Sequence, residues 1–411
     1  MLSNPPPISI ANRSDDEDVN KSPSNYSVEV IKTYNDFKQL ERIWNELLSD
    51  SPTDTYFMRW EWITTWWDIY AQSSDELNVI VIRNNDTIVC IAPFFTRKKY
   101  LFKFYSFKVL MFLGTQDTSQ GDVCSVYSDL IYRNDISDKD KLFGLILDQV
   151  VKQIDCDKFY FSRVDVNSAS IEYLLNAFTD RGVERYTKQV LFSPYVNLPD
   201  NWDGYMQSIS ASMRYKIRRE QRKFERNFSN ISFRKTVDQN GLSSDYATLV
   251  KLHQSWWASR GVVGSFSDSN FHDFHKKMTR TMLDNDHLDL SFIENGGESL
   301  AAIYLIKYQG KIYYYQSGIS EASRKVALGY IMHAYCIEDA IDSGFTEYDF
   351  LPDSDFNSYK TKYTKIYKDV EVVYFYNNHL LSIHEKSYRL LRKLYKRLFR
   401  SKQNQTADQS I

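Results

Sequence analysis

The sequence predicts an α/β (α+β) chain built of two tandem lobes, and three observations carry that expectation. The segment ELNVIVIRNNDTIVCIAPFF (76–95) reads as two strands joined at Asn84-Asn85-Asp86, residues that tolerate the positive φ of a tight turn. HLDLSFIENGGESLAAIYLI (287–306) lies on it without gaps, Leu288 on Leu77, Ile293 on Ile82, Asn295 on Asn84 and Gly296-Gly297 on Asn85-Asp86. Each hairpin follows a helical region rich in tryptophan or phenylalanine, and a turn-rich stretch, SPYVNLPDNWDGY, separates the two near residue 200. The expected units are a disordered tail at 1–25, lobes at 26–200 and 201–378, and a basic amphipathic helix with a tail at 379–411.

Along the chain, Met1–Asn25 is rich in proline, serine and acid, has no apolar signal core, and buries too little to offset its ordering entropy. SVEVIKTY then alternates like a strand. In DFKQLERIWNELL, Phe37, Leu40, Ile43, Trp44, Leu47 and Leu48 follow a helical period, with Asp36 placed as the N-cap. YFMRWEWITTWWDIY sets Trp60, Ile63, Trp67 and Tyr70 on one helical face, which Trp62, Trp66 and Ile69 widen; burial in a core accounts for so much indole. Strands and helices around FYSFKVLMFLG, LFGLILDQVVKQI and KFYFSRV close the first lobe.

SASMRYKIRREQRKFERNF reads as one helix with Ile209, Met213, Ile217, Phe224 and Phe228 on its apolar side. Arg214, Arg218, Arg222 and Arg226 recur every four residues, and like charges at that spacing repel unless anions answer them. An anionic glycan, RNA, the phosphates of a nucleotide, or solvent with relief from Glu220 and Glu225 would each satisfy the stripe. EKSYRLLRKLYKRLFRSK repeats the theme near the C-terminus, with Leu391, Leu394, Tyr395 and Leu398 flanked by Arg392, Lys393, Lys396, Arg397 and Arg400. Contact with an anionic membrane surface and ordinary packing on the body both fit it.

The totals narrow the function. With 411 residues, 30 Tyr, 25 Phe and 8 Trp, there is ample material for two cores, and a net charge of −2 excludes a globally basic nucleic-acid binder. Cys90, Cys124, Cys156 and Cys336 are widely spaced, which predicts reduced core thiols in a cytoplasmic protein and no zinc site. His272 and His275 lack a third ligand, and His333 sits inside an apolar helix as a core histidine. Nowhere does an apolar run approach the roughly 20 residues of a membrane span.

The most informative stretch runs from Ser317 to Tyr363. A tyrosine-rich strand (Lys311–Gln316) leads through a loop (Ser317–Leu328) carrying Arg324, Lys325 and Ala327 into a helix beginning at Gly329. A helix N-terminus offers unpaired N–H groups and partial positive charge, small residues admit an anion to the backbone, and Arg324 and Lys325 add charge, so these are the parts of a diphosphate cradle.

That order of tyrosine-rich strand, R-x-x-A-x-G (Arg324 to Gly329), apolar helix and strand with a buried acid resembles the acyl-CoA-binding core of the GNAT acyltransferase superfamily. The superfamily's loop is usually Q/R-x-x-G-x-G/A, and Ala327 stands at its first glycine. FMRWEWITTWW, VIVIRNNDTIVCIAPFF, MRYKIRREQRKFE and GFTEYDFLPDSDFNSYKTKY, in that order over roughly residues 30–370, resemble the CelD-type branch with a BioF2-like acetyltransferase domain. Pro352-Asp353 departs from the branch's usual Pro-Gly, and Tyr363 from its usual tryptophan. The branch is similar to the FemAB ligases.

The resemblance implies two tandem GNAT-like lobes, each a mixed, mostly antiparallel sheet flanked by helices. It implies an acyltransferase moving an acyl group from acetyl-CoA or another acyl-CoA to an amine or hydroxyl, without metal. The acceptor would be a small molecule, a sugar or a lipid-linked precursor of polysaccharide or envelope synthesis, in the cytoplasm or at the inner membrane face. Tyr315, Gln316, Ser317, Arg324, Lys325, Ala327, Leu328, Gly329 and Tyr330 would hold the coenzyme. Asp349, between Tyr348 and Phe350, would be a base raised by desolvation, and Tyr359 and Lys360 match the family's Tyr-Lys pair in the acceptor pocket or as acid and charge stabiliser. A FemAB-like transferase using aminoacyl-tRNA, or a non-catalytic GNAT-fold binding module, are the alternatives.

Overall fold

The computed structural model describes residues 26–101, 104–118, 121–323 and 325–391. The expected tail at 1–25, most of the C-terminal basic segment (392–411) and Arg324 lie outside the described residues; 379–391 is helical.

The first lobe opens with strand β1 (Tyr26–Ile31), helices α1 (Tyr34–Lys38), α2 (Glu41–Ser49) and α3 (Trp60–Tyr70), and strands β2 (Asp75–Asn84), β3 (Thr87–Leu101) and β4 (Tyr105–Phe112). After the two-residue strand β5 (Ile131–Tyr132) come α4 (Lys139–Lys152), β6 (Lys158–Asp165), α5 (Ala169–Asp180) and β7 (Arg185–Asn197). Helices α6 (Trp202–Ser208) and α7 (Ala211–Asn227) lead into the second lobe. There β8 (Ile231–Lys235), α8 (Gln239–Ala258), α9 (Ser269–Asp284), β9 (Leu288–Asn295), β10 (Glu298–Tyr308), β11 (Lys311–Ile319), α10 (Leu328–Asp342), β12 (Glu347–Asp349) and β13 (Tyr367–Tyr376) follow a similar order, with two helices before the hairpin in place of three and no counterpart of β5 or α5.

The two expected hairpins form as equal two-residue turns. Asn84 pairs with Thr87 across Asn85 (φ 53°), and Asn295 pairs with Glu298 across Gly296 and Gly297 (φ 59° and 85°). The residues chosen for positive φ set both registers. The helix expected over 36–48 is broken at Gln39-Leu40, and its N-cap is Thr33 rather than Asp36. The Thr33 hydroxyl accepts the Asp36 amide at 3.1 Å and donates to the Asp36 carboxylate at 2.6 Å, a reciprocal cap in which Asp36 is the second member.

One continuous sheet joins the lobes in the order β1-β2-β3-β4-β6-β13-β7-β12-β11-β10-β9-β8. The last strand of each lobe completes the other: β13 lies against β6, and β7 lies against β12. In each lobe a parallel pair joins only briefly and then parts. β4 and β6 are matched from Val109 to Met111, and β11 and β12 from Lys311 to Tyr313.

Three apolar cores follow. Helices α1–α3 and α8–α9 share the middle one, where Trp62 meets Phe274 with ring centroids 4.7 Å apart. Helices α4 and α5 cover a second, and α7 with α10 cover a third. Cys90, Cys156 and Cys336 are buried free thiols, whereas Cys124, expected in a core, is exposed. It stands with φ of 50° on the loop after β4, which turns the residue out of regular packing.

Candidate functional site

Beyond Tyr313 the edge of β11 has no strand partner on the β12 side, and this parting opens a cleft of about 820 Å³. Its walls come from the end of α8 (Trp256, Trp257, Arg260), from β11 (Tyr314, Gln316, Ser317), from the start of α10, and from Tyr359 and Tyr363. Two local features of β11 set the shape. Pairing with β10 jumps between Tyr304/Gln316 and Leu305/Tyr314, so Tyr315 is an extra residue in a β-bulge. Gly318 lies under α8, where a Cβ would stand 2.2 Å from the His253 nitrogen, so only glycine lets that helix approach.

Helix α10 begins at the cleft. Its N-cap position, Ala327, supplies no side-chain cap; the Val326, Leu328 and Tyr330 amides donate to the carbonyls of Ser323, Val326 and Ala327, and the Gly329 amide is left without a partner among the described residues. Val326, Ala327, Leu328, Gly329 and Tyr330 all line it. The Ala327 amide, expected to be open, donates instead to the buried Glu220 carboxylate of α7 at 3.1 Å. Glu220 also accepts from Arg219 at 2.6 Å, lies 3.8 Å from the Lys223 amine, and is held below the usual carboxylate range by Arg219 and this amide against the cost of burial. Lys325 is exposed beside the opening, and its carbonyl accepts from Lys223 at 3.5 Å.

The arginine stripe of α7 does not act as a unit. Arg214 donates to the carbonyls of Met206, Gln207 and Ile209, tying α6 to α7.

Inside the cleft, the Tyr359 hydroxyl donates to that of Tyr314 at 3.2 Å, and Tyr314 shares a 2.7 Å hydrogen bond with Ser317. Desolvation raises both tyrosine hydroxyls above the ordinary range, so they stay protonated. His333 lies edge-on to Tyr314 (4.6 Å) and bonds the Tyr348 hydroxyl through Nδ1 at 3.0 Å. Burial, aided by the Lys360 charge, lowers its pKa to about 3, so it is neutral.

Sequence reasoning placed Gln316, Ser317, Ala327, Leu328, Gly329, Tyr330 and Tyr359 in one site, and the structure brings them together on the cleft wall. Three others are placed elsewhere. The Tyr315 ring, on the same face of β11 as Tyr313, lies in the core between the lobes, where its hydroxyl donates to the Val123 carbonyl and lies 3.0 Å from His275 Nε2. Lys360, deprotonated more readily because burial disfavours its charge, donates to the Leu351 carbonyl at 3.1 Å, 3.8 Å from the Asp353 carboxylate.

Asp349 is fully buried at the seam of the two lobes. It accepts from the Tyr127 hydroxyl (2.7 Å), the Ser193 hydroxyl (2.9 Å), the Leu351 amide (2.8 Å) and the Lys368 amine (3.0 Å). With these partners it holds the exchanged strands and does not line the cleft. Tyr314, Trp256, Trp257 and Arg260 were missed, the paired indoles before Arg260 being the one visible signal, whereas His333 is the buried, hydrogen-bonded histidine the sequence suggested, placed at the cleft wall.

Among the described residues no three His, Cys, Asp or Glu side chains converge on a metal position, and no helix is long and apolar enough to cross a membrane.

A parted parallel pair, a bulge beside it and a helix start at the gap are the features that shape this cleft. Residues 211–361, which make up most of the second lobe, match the family described as acetyltransferase (GNAT) domain. FemX is similar in structure at 12% identity, over 82% of this chain and 95% of that one, with a TM-score of 0.52. A conserved protein of unknown function from Bacteroides thetaiotaomicron (9%, 82% and 97%, 0.48) also aligns. So does a tandem GNAT protein from the clavulanic acid biosynthesis pathway (8%, 85% and 98%, 0.42). No curated protein matches the chain in sequence.

Proposed function

We propose that the protein is an acyltransferase that takes an acyl group from acetyl-CoA or another acyl-CoA to an amine or hydroxyl, at the cleft between β11 and β12. The observation that carries this reading is the start of α10 at Gly329, without a side-chain cap, opening into that cleft beside the part of β11 that β12 does not pair. A diphosphate suits a helix N-terminus, and Lys223 and Lys325 add positive charge at its rim.

In the transfer the acceptor's lone pair attacks the thioester carbonyl carbon, the C–S bond breaks, and a new C–N or C–O bond forms. N–H groups along Gln316 and Ser317 face the developing oxyanion. The protonated Tyr359 and Tyr314 hydroxyls, relayed to Ser317, return a proton to the leaving sulfur. The acceptor's proton leaves to water in the cleft, because Asp349 is committed to the seam and His333 is held neutral with little basicity. Lys360 stiffens the turn after β12 through the Leu351 carbonyl.

A sugar or lipid-linked acceptor from polysaccharide or envelope synthesis fits the resemblance in the sequence. Thermal-shift titration with acetyl-CoA, longer acyl-CoAs, free CoA and an aminoacyl-tRNA tests the assignment. A ligand held only by the folded chain adds about 2.7 kcal/mol of stability at a hundred times its Kd. Stabilisation by CoA species is expected; stabilisation by the aminoacyl-tRNA alone would replace this reading with the tRNA-dependent one.

A further inference from the structure

A second groove, of about 560 Å³, runs beside the start of α7 and shares Tyr363 with the cleft. Three amines line it, those of Lys216, Lys362 and Lys365, and no carboxylate does. Among the described residues none of the three lysines forms a salt bridge. Concentrated unanswered charge of one sign costs free energy by self-repulsion and lowers that cost by taking up an anion. Tyr363 is 2% exposed, and its hydroxyl has no hydrogen-bond partner among the described residues. Since burying a hydroxyl unpaired is unfavourable, it too is left for a ligand or water.

The groove meets the cleft at Tyr363, whose ring lies between Tyr330 at the start of α10 and His333, 5.3 Å away. The Lys216 amine lies 4.4 Å above the Tyr330 ring, one residue past Gly329, and Tyr330 stacks on Tyr363 at 6.0 Å. The Tyr314, Ser317 and Tyr359 hydroxyls, where the acyl group would be handled, bond to one another. The Lys216 amine over Tyr330 places an anion bound there beside the start of α10, on the side of the donor's nucleotide end.

Resting on the acyl-CoA reading, we propose that this groove binds the ribose 3′-phosphate of the coenzyme through Lys216, Lys362 and Lys365, and so selects CoA over its 3′-dephospho form.

Calorimetry on the full chain with CoA and with 3′-dephospho-CoA tests it, using wild type and a Lys362→Ala/Lys365→Ala variant. These two lysines are exposed, so their removal spares the core. Wild type should favour CoA by about tenfold, the equivalent of one charge-assisted contact. The variant should lose that preference while holding 3′-dephospho-CoA within about twofold of wild type. Rising salt should erode the preference in wild type and leave the variant flat. Equal affinity of wild type for the two ligands, or equal weakening of both by the variant, overturns the groove assignment and leaves the cleft assignment standing. Binding of neither form overturns both.

Discussion

Replacing Asp349 separates a structural from a catalytic carboxylate. Its side chain is fully buried and accepts two hydroxyls, one amide and one ammonium at 2.7–3.0 Å. Breaking a buried ion pair by removing one partner typically costs about 3–5 kcal/mol. The Lys368 amine keeps Glu347 at 2.6 Å, which places the cost of Asp349→Asn near the lower end, about 3 kcal/mol. Tyr127 can still bond Ser193 at 2.7 Å, which limits the loss further. Urea unfolding should show a lower midpoint at an unchanged slope. Acetyl-CoA affinity and turnover per folded molecule should stay within about threefold of wild type, since a lost general base would cost roughly 10²–10⁴-fold. A variant of wild-type stability whose turnover has fallen a hundredfold would refute the seam role and restore Asp349 as the base.

Other perturbations follow from the same structure. Burial raises the Asp129 carboxyl to about 7, against the pull of Ser168, Ser170 and the Leu130 amide. A folded pKa above the unfolded value of about 3.9 means that folding favours the protonated form, so stability should fall as pH rises from about 4 to 7, by up to about 4 kcal/mol. Asp129→Asn should flatten that slope in urea titrations at pH 5 and 8, and an unchanged slope would exclude the residue as its source. Gly318→Ala must push α8 off β11, because its Cβ would meet backbone at 2.2 Å; a loss of at least 1–3 kcal/mol in unfolding free energy is expected. Tyr359→Phe removes the donor to Tyr314, and kcat should drop by about a hundredfold with acetyl-CoA affinity within about threefold, measured by steady-state kinetics and calorimetry.

What the sequence showed and hid divides by range. The hairpins were legible because Asn85 and Gly296-Gly297 carry their backbone conformation locally. The start of α10 was legible because small residues and an apolar run lie next to each other. Strand exchange was not, since the alternation of Tyr367–Tyr376 suits any half-buried sheet position and does not name β6 and β7 as neighbours. The site suffered in the same way. Alternation puts Tyr313 and Tyr315 on one face and Tyr314 on the other, but the string KIYYYQSGI does not say which of the two faces the cleft. Asp349 looked like a solitary buried acid, yet it meets Tyr127 across 222 positions of chain. The N-cap error is milder: Thr33 and Asp36 are both good caps three residues apart, and geometry made them partners.

The central claim is that the start of α10, at the Gly329 amide, holds the coenzyme's diphosphate. Hydrogen–deuterium exchange of residues 326–331, with and without saturating acetyl-CoA, addresses it most directly. The account predicts marked slowing there and along Gln316–Ser317, with little change in the first lobe. Slowing confined to the first lobe, or full exchange at 326–331 with ligand bound, would contradict it.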